Sequence, residues 1–291
     1  MAARKVIITV AQTGAFHSKE ANPNIPISPK EIADSAYDCY NAGASIIHIH
    51  ARDKDGKSTN DPAVYSEIGS GIRAKCNAIL QYSTAPANRE GTVAEDGMKL
   101  LYYKDLVKPE MCSLDCSLIS TSWAGRTFVY EWFRDFLIKY AGMMKDMGIK
   151  PELECFEPTS LEDVFNILEP AGVLQAPTSL SFVMGMDKIS QGALSFSEAN
   201  LDFMISKLPK DRFVNFSTIS IGAKNHVPGM AMTVLKGGGA RVGMEDNIYY
   251  APGRLLKSNA EMVERAVRII RELGLEVATP DEAREILALK R

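Results

Sequence analysis

Cysteine is sparse in this chain, and so is any sequence that would bind nucleotide, nucleic acid or membrane. Five cysteines, Cys39, Cys76, Cys112, Cys116 and Cys155, make an odd count over 291 residues with no Cys-x-x-Cys pair. That excludes a disulfide framework and leaves reduced, mostly buried thiols. Cys112 and Cys116 have no cysteine-rich surroundings to complete a thiolate zinc site. Lysine and arginine are scattered rather than clustered, and a net charge of −3 gives no basic footprint for nucleic acid. The first apolar run, Val6 to Val10, is too brief for a signal-peptide core or a membrane span, so the expectation is a cytoplasmic protein. No Gly-x-Gly-x-x-Gly or Walker sequence is found, and Gly237-Gly238-Gly239 reads as a flexible helix-to-strand turn.

What is present is ordinary globular chemistry, 46% apolar and 24% charged, enough to bury a large core in one domain spanning residues 1–291. Short β-branched runs recur at Val6 to Val10, Ser45 to His50, Ile79 to Ser83, Met111 to Leu114, Glu152 to Phe156, Ser179 to Val183, Phe213 to Ser217 and Ala240 to Met244. Amphipathic stretches with helix-start signals lie between them. Ser28-Pro29-Lys30-Glu31 offers an N-cap, a first-turn proline and a capping-box glutamate, and Ser258 to Glu261 and Thr279 to Glu282 repeat the device. Eight strands alternating with helices predict a (β/α)8 TIM barrel in preference to an open doubly wound sheet. Gly14 to Ile27 and Ile219 to Val227 follow strands directly and are expected on the active-site rim.

Two of the four histidines fall in Ile46-Ile47-His48-Ile49-His50. Strand alternation aims His48 and His50 to one face and the isoleucines to the other, and imidazoles so held suit zinc and its neighbours. The alternative is a pair of hydrogen-bonded core imidazoles. In Arg241-Val242-Gly243-Met244-Glu245-Asp246-Asn247 the same alternation groups Arg241, Gly243 and Glu245, making Glu245 the expected third ligand, with an open position for catalysis. Asp246, where the strand turns over the rim, is a candidate general base tuned by the cation and Arg241. Ser83, Thr84 and Ser113 lie at or near strand ends, where they serve either to bind a carboxylate or to cap the strands. Glu152 and Glu154 share a strand face from which one is expected to orient the cations of the site. His226 reads as a surface loop histidine.

Taken together, Thr13-Gly14-Ala15, Asn24 to Pro29 with Glu31, His48-Ile49-His50, Gln81-Tyr82-Ser83-Thr84, Lys108-Pro109-Glu110-Met111, Pro151-Glu152-Leu153-Glu154 and Arg241 to Asn247 resemble the β-keto acid cleavage enzymes, in particular the 3-keto-5-aminohexanoate cleavage type. The likeness runs nearly end to end and includes Ala278-Thr279-Pro280 and Ala283 to Leu289. It implies a (β/α)8 barrel, usually a homotetramer, with zinc on His48, His50 and Glu245. The implied reaction joins a 3-keto acid and acetyl-CoA and yields acetoacetate and a new acyl-CoA in the retro-Claisen sense. Asp246 would take the substrate proton, Arg241 would hold Asp246, Ser83 and Ser113 would bind the carboxylate, and Glu154 becomes the preferred member of its pair.

Two departures bear on specificity. Where the aminohexanoate enzymes carry a glutamate for the substrate ammonium, this chain has Phe16 followed by His17. A neutral tail is expected, the other option being a quaternary ammonium held by Phe16 and Trp123 through cation–π attraction of roughly 0.5 to 2 kcal/mol. The segment Met184 to Gly192 lacks the family's Pro-Gly-Gly, leaving Lys188 as a candidate phosphate contact for CoA. Two other functions remain open from sequence: a metal-dependent hydrolase of the amidohydrolase type, which also uses His-x-His, and a barrel that binds metal or acyl-CoA without turnover.

Overall fold

The computed structural model describes residues 3–87, 89–123 and 125–289. Eight strands form one parallel sheet: β1 (Ile8–Ala11), β2 (Ile46–Ile49), β3 (Ile79–Tyr82), β4 (Met111–Asp115), β5 (Lys150–Cys155), β6 (Ser179–Met184), β7 (Asn215–Ser220) and β8 (Ala240–Val242). Their order is β7-β6-β5-β4-β3-β2-β1-β8. The two ends of that order meet: Gly239 N–H donates to Phe216 O at 2.8 Å and Gly222 N–H to Asp246 O at 2.9 Å. The sheet therefore curls into the expected barrel, since a right-handed βα repeat lays each strand beside the last.

Nine α-helices stand among the described residues: α1 (Pro29–Ala42), α2 (Pro62–Arg73), α3 (Ala94–Gly97), α4 (Arg134–Asp146), α5 (Pro158–Asp163), α6 (Glu198–Ser206), α7 (His226–Leu235), α8 (Asn259–Glu272) and α9 (Pro280–Leu287). The capping signals act as read. Ser28 Oγ accepts from Glu31 N–H while the Glu31 carboxylate accepts from Ser28 N–H, and Gly43 closes α1 in the left-handed conformation. Thr279 and Glu282 do the same for α9.

Strand alternation sorts the barrel residues. Val10, Ile47, Ile49, Leu80, Leu114, Leu153, Leu180 and Val242 pack outward into the main core against helix residues such as Ile32, Ile68, Leu137, Val234 and Val263. The out-of-phase positions are polar and buried: Thr9, His48, Gln81, Ser113, Glu152, Ser181, Ser217 and Arg241. A second cluster of Ile7, Ile46, Ile79 and Met111 is covered by Ala278, Ala283 and Leu287 of the C-terminal segment. Lys150 Nζ donates to Leu287 O at 2.7 Å, so α9 plugs the N-terminal end of the barrel. Between β4 and α4 the chain makes an antiparallel hairpin, Leu118–Trp123 with Arg126–Glu131, that sequence patterning did not predict.

Candidate active site

At the C-terminal ends of the strands lies a cavity of about 440 Å³, within the range of small-molecule sites. His48 leaves β2 pointing inward and His50 follows one step beyond the strand, with ring centroids 5.2 Å apart. Glu245 joins them, its Oε1 lying 3.3 Å from His50 Nε2 and its Oε2 3.6 Å from His48 Nε2.

Glu245 does not arrive by strand alternation. The strand β8 ends at Val242, and Gly243, at φ 140°, turns the chain so that residues 244–246 form a tight turn. A Cβ on Gly243 would sit 2.0 Å from Ala11 O, and one on Gly14 would sit 2.6 Å from Glu245 Cγ. Both positions demand glycine, one for backbone sign and clearance, the other to admit the ligand carboxylate. Glu245 N–H and Ala11 O (3.1 Å) hold the turn against β1.

The donor set fits a divalent cation. A tetrahedron with bonds of about 2.05 Å spaces its ligands about 3.3 Å apart, close to the separations above, and the ligand atoms of His48, His50 and Glu245 lie within 4.8 Å of one another. Glu245 Oε2 is buried and accepts no hydrogen bond. Burial drives the His48 pKa down to about 3, so the ring is neutral, the form that binds metals. Burial alone would raise the Glu245 carboxyl, but the contact with His50 and the charge of Arg241 outweigh it and hold it well below the usual range.

Arg241 is the buried cation that organises the carboxylates. Its Nε and Nη2 both lie 3.0 Å from Asp246 oxygens in a two-pronged pair, and Nη2 also donates to Glu245 Oε1 at 2.9 Å. Nη1 is 4.0 Å from Glu154 Oε1 and makes no hydrogen bond. Burial opposes the charge on Arg241, yet Asp246 and Glu245 prevail and raise its pKa. Glu154 stands opposite Asp115 in the register of β5 and β4. Burial, with Asp115 beside it, pushes Glu154 well up, and burial lifts Asp115 to about 6 despite its bond to Glu154. The pair is thus arranged to retain a proton near neutrality.

Behind this cluster, His48 Nδ1 bonds Gln81 Oε1 at 2.8 Å, Gln81 Nε2 donates to Glu152 Oε2 at 2.8 Å, and Ser181 Oγ donates to Glu152 Oε1 at 2.7 Å.

The other sequence candidates divide. Ser83 and Phe16 line the cavity. Thr84 and Ser113 do not line it; Thr84 Oγ1 donates to Ser113 O at 2.5 Å and Thr84 N–H to Ser113 Oγ at 3.2 Å, tying β3 to β4. The Trp123 side chain falls outside the described residues. His226 is no surface residue: it is buried, with Nδ1 bonded to Ser220 O at 3.0 Å and Nε2 accepting from Gly243 N–H at 3.3 Å. It braces the backbone turn before Glu245. The five cysteines are free thiols, and four are buried.

Sequence reading missed Asp115 and the aromatic wall. Tyr130 and Trp132, delivered by the hairpin and its exit, join Phe16, Ile119, Phe156, Met186, Ile219 and Ile248 around the cavity. In-phase spacing with Ser113 on β4 was the available signal for Asp115. Arg52, two residues past His50, donates to the carbonyls of Gly14 and His17 and so fixes the loop that carries Phe16.

A (β/α)8 barrel with a two-histidine, one-carboxylate cluster and a buried Arg–Asp pair at its C-terminal mouth is an enzyme architecture. Residues 5–289 match the family model for beta-keto acid cleavage enzymes, and the chain belongs to that family. It is 38% identical to the 3-keto-5-aminohexanoate cleavage enzyme of Acetoanaerobium sticklandii over 288 residues, covering 99% of each chain. It is 31% identical to the 3,5-dioxohexanoate:acetyl-CoA acetone transferase of Paraburkholderia graminis, covering 99% of this chain and 96% of that one. Among solved structures, ObcA in its apo form superposes with a TM-score of 0.78 at 19% identity. That match covers 92% of this chain but 66% of ObcA, and it bears on the fold. Among the described residues, no helix is long and apolar enough to cross a membrane.

Proposed function

We propose that the protein converts a 3-keto acid and acetyl-CoA into acetoacetate and the CoA ester of the remaining fragment. The observation that carries this is the Arg241-bound Asp246 carboxylate beside the His48, His50 and Glu245 cluster, in a chain related end to end to such enzymes. Zinc is the cation we assign to the cluster, where it supplies Lewis-acid polarisation of the substrate's keto oxygen.

Asp246 takes a proton from the carbon between carboxylate and ketone. Arg241 keeps that carboxylate aimed and balances the charge of Glu245 and Asp246 as protons move. The resulting carbanion attacks the acetyl carbonyl of acetyl-CoA, and CoA leaves as thiolate. The thiolate then attacks the original keto carbon; the bond between that carbon and the former carbanion carbon breaks. Acyl-CoA is released, and the acetoacetate carbanion recovers its proton from Asp246. Atoms and charges balance without an enzyme nucleophile, so the buried cysteines have no part.

Ser83 is the cavity hydroxyl we assign to the substrate carboxylate; Thr84 and Ser113 tie the neighbouring strand ends together, and Glu154 lines the cavity beside Asp115. Phe16 and the surrounding apolar wall favour a substrate with an uncharged tail over an amino-tailed one. Lys188 remains the candidate contact for a CoA phosphate. A single catalytic domain and a cytoplasmic location are proposed from composition and the short first apolar run, and the resemblance adds a homotetramer, to be read by light scattering. An amidohydrolase-type reaction is disfavoured because both His226 ring nitrogens are engaged with the backbone.

The test supplies zinc-loaded protein with acetyl-CoA and 3-keto acids bearing neutral, hydroxylated, anionic, amino or trimethylammonium tails. Mass spectrometry follows acyl-CoA formation. A neutral-tailed acyl-CoA that disappears in Glu245→Gln is the expected result; no acyl-CoA from any tail refutes the assignment.

A further inference from the structure

Glu152 takes no part in the reaction above, yet it is buried and both of its oxygens are engaged. It lies on β5, two strands from Gln81 on β3, and reaches it inside the barrel with β4 between. Ser217 Oγ, 2.7 Å from Ser181 Oγ, extends the chain of bonds to β7. Gln81 in turn sits opposite His48 in the register of β3 and β2.

The direction of every hydrogen in this chain follows from the carboxylate. Both Glu152 oxygens accept, one from Ser181 Oγ and the other from Gln81, so the end of Gln81 that meets Glu152 is its amide NH2. The other end is then the carbonyl, which also accepts only. Across the 2.8 Å contact the hydrogen belongs to His48 Nδ1. A neutral imidazole protonated at Nδ1 leaves a lone pair on Nε2, and Nε2 is the atom turned toward Glu245.

We propose that Glu152 is a positioning residue that, through Gln81, locks His48 in the Nδ1–H form and so keeps Nε2 open to the metal. The inference rests on the metal reading given under the proposed function. It differs from the expectation that Glu154 is the orienting member of the fifth-strand pair: Glu154 faces Arg241 and Asp115, while Glu152 serves the histidine. Carboxylate control of a metal-bound histidine is general; here an amide is interposed. Replacing the charge removes the constraint. In Glu152→Gln either end of residue 152 fits Gln81, whose amide is then free to turn its NH2 toward Nδ1, placing the ring hydrogen on Nε2.

The experiment pairs two measurements on full-length protein. Ring 15N spectra of the metal-free protein, with His48 assigned from a His48→Asn spectrum, report which nitrogen carries hydrogen. Competition with a chromogenic chelator gives zinc affinity. Wild type is expected to show Nδ1–H, and Glu152→Gln a tautomer mixture with affinity lower by about 10- to 100-fold. A wild-type ring in the Nε2–H form overturns the proposal without any variant. So does Glu152→Gln that keeps both its tautomer and its affinity within about twofold of wild type. Wild type that holds Nδ1–H but takes up no zinc sinks the metal assignment instead, and the ring spectrum still decides the role of Glu152.

Discussion

Replacing Arg241 with methionine removes the positive charge from a buried group of carboxylates while keeping most of the volume. Arg241 makes three charged hydrogen bonds, two to Asp246 at 3.0 Å and one to Glu245 at 2.9 Å. Each is worth about 1.5 to 3 kcal/mol when counted singly, but the cost of burying the guanidinium offsets much of their sum. Removing one partner of such a buried pair leaves its carboxylates uncompensated and costs about 3 to 5 kcal/mol. The sign of the pH dependence follows from the direction of the shifts. In wild type Glu245 is held low, so its contribution is complete above its unfolded value and is lost only as acid reaches the folded one. In Arg241→Met the Glu245 carboxyl loses one of the neighbours that hold it low, so its folded value moves toward the unfolded one of about 4 and less of that stabilisation remains. The deficit against wild type is therefore full above about pH 5 and shrinks as acid protonates the carboxylate toward about pH 3. Urea unfolding of the metal-free proteins at both pH values measures it. A deficit below about 1 kcal/mol, or one that is equal at the two pH values, would refute the argument that this cation organises the site.

Gly243→Ala combines an unfavourable backbone sign with a Cβ 2.0 Å from Ala11 O. We expect a loss of about 4 kcal/mol and a fall of about 10 °C in the thermal midpoint; a change under about 2 °C would show that the turn tolerates a side chain. His48 is buried with its pKa lowered to about 3. Between there and the unfolded value of about 6.5 the unfolded chain binds a proton that the folded one refuses, so stability falls as pH drops through that window. His48→Asn should flatten the metal-free protein's stability-against-pH slope by about 1.4 kcal/mol per pH unit near pH 5, and an unchanged slope would contradict it.

The eight barrel strands were legible because apolar residues such as Val10, Ile47, Leu80, Leu114, Leu153, Leu180 and Val242 recur on the face that packs outward, and helix caps such as Ser28 and Thr279 separate them. The His48 and His50 pairing was legible for the same reason: two-residue alternation survives into the strand end. Glu245 was found by an alternation that the molecule does not follow, since Gly243 breaks the strand first. The hairpin from Leu118 to Glu131 escaped notice because its outer face is largely exposed and carries no clean apolar pattern, yet it brings Ile119 and Tyr130 to the cavity. Gln81 and Glu152 share interior phase with His48, but only the folded barrel reveals that side chains of strands three and five meet in front of β4. His226 was misjudged because a loop-like sequence, Lys224-Asn225-His226, opens a helix whose first residue turns inward.

His48 and His50 hang from the second strand, Glu245 from the turn after the eighth, and β1 stands between them. Almost two hundred residues separate the two halves of the cluster along the chain. During synthesis the histidines emerge early, but their carboxylate partner is made only after most of the protein has been extruded, and it arrives when β8 docks on β1. Contacts of such sequence separation form late. The cation uptake proposed for this cluster should therefore trail the appearance of helix in refolding, serving as a clock for barrel closure.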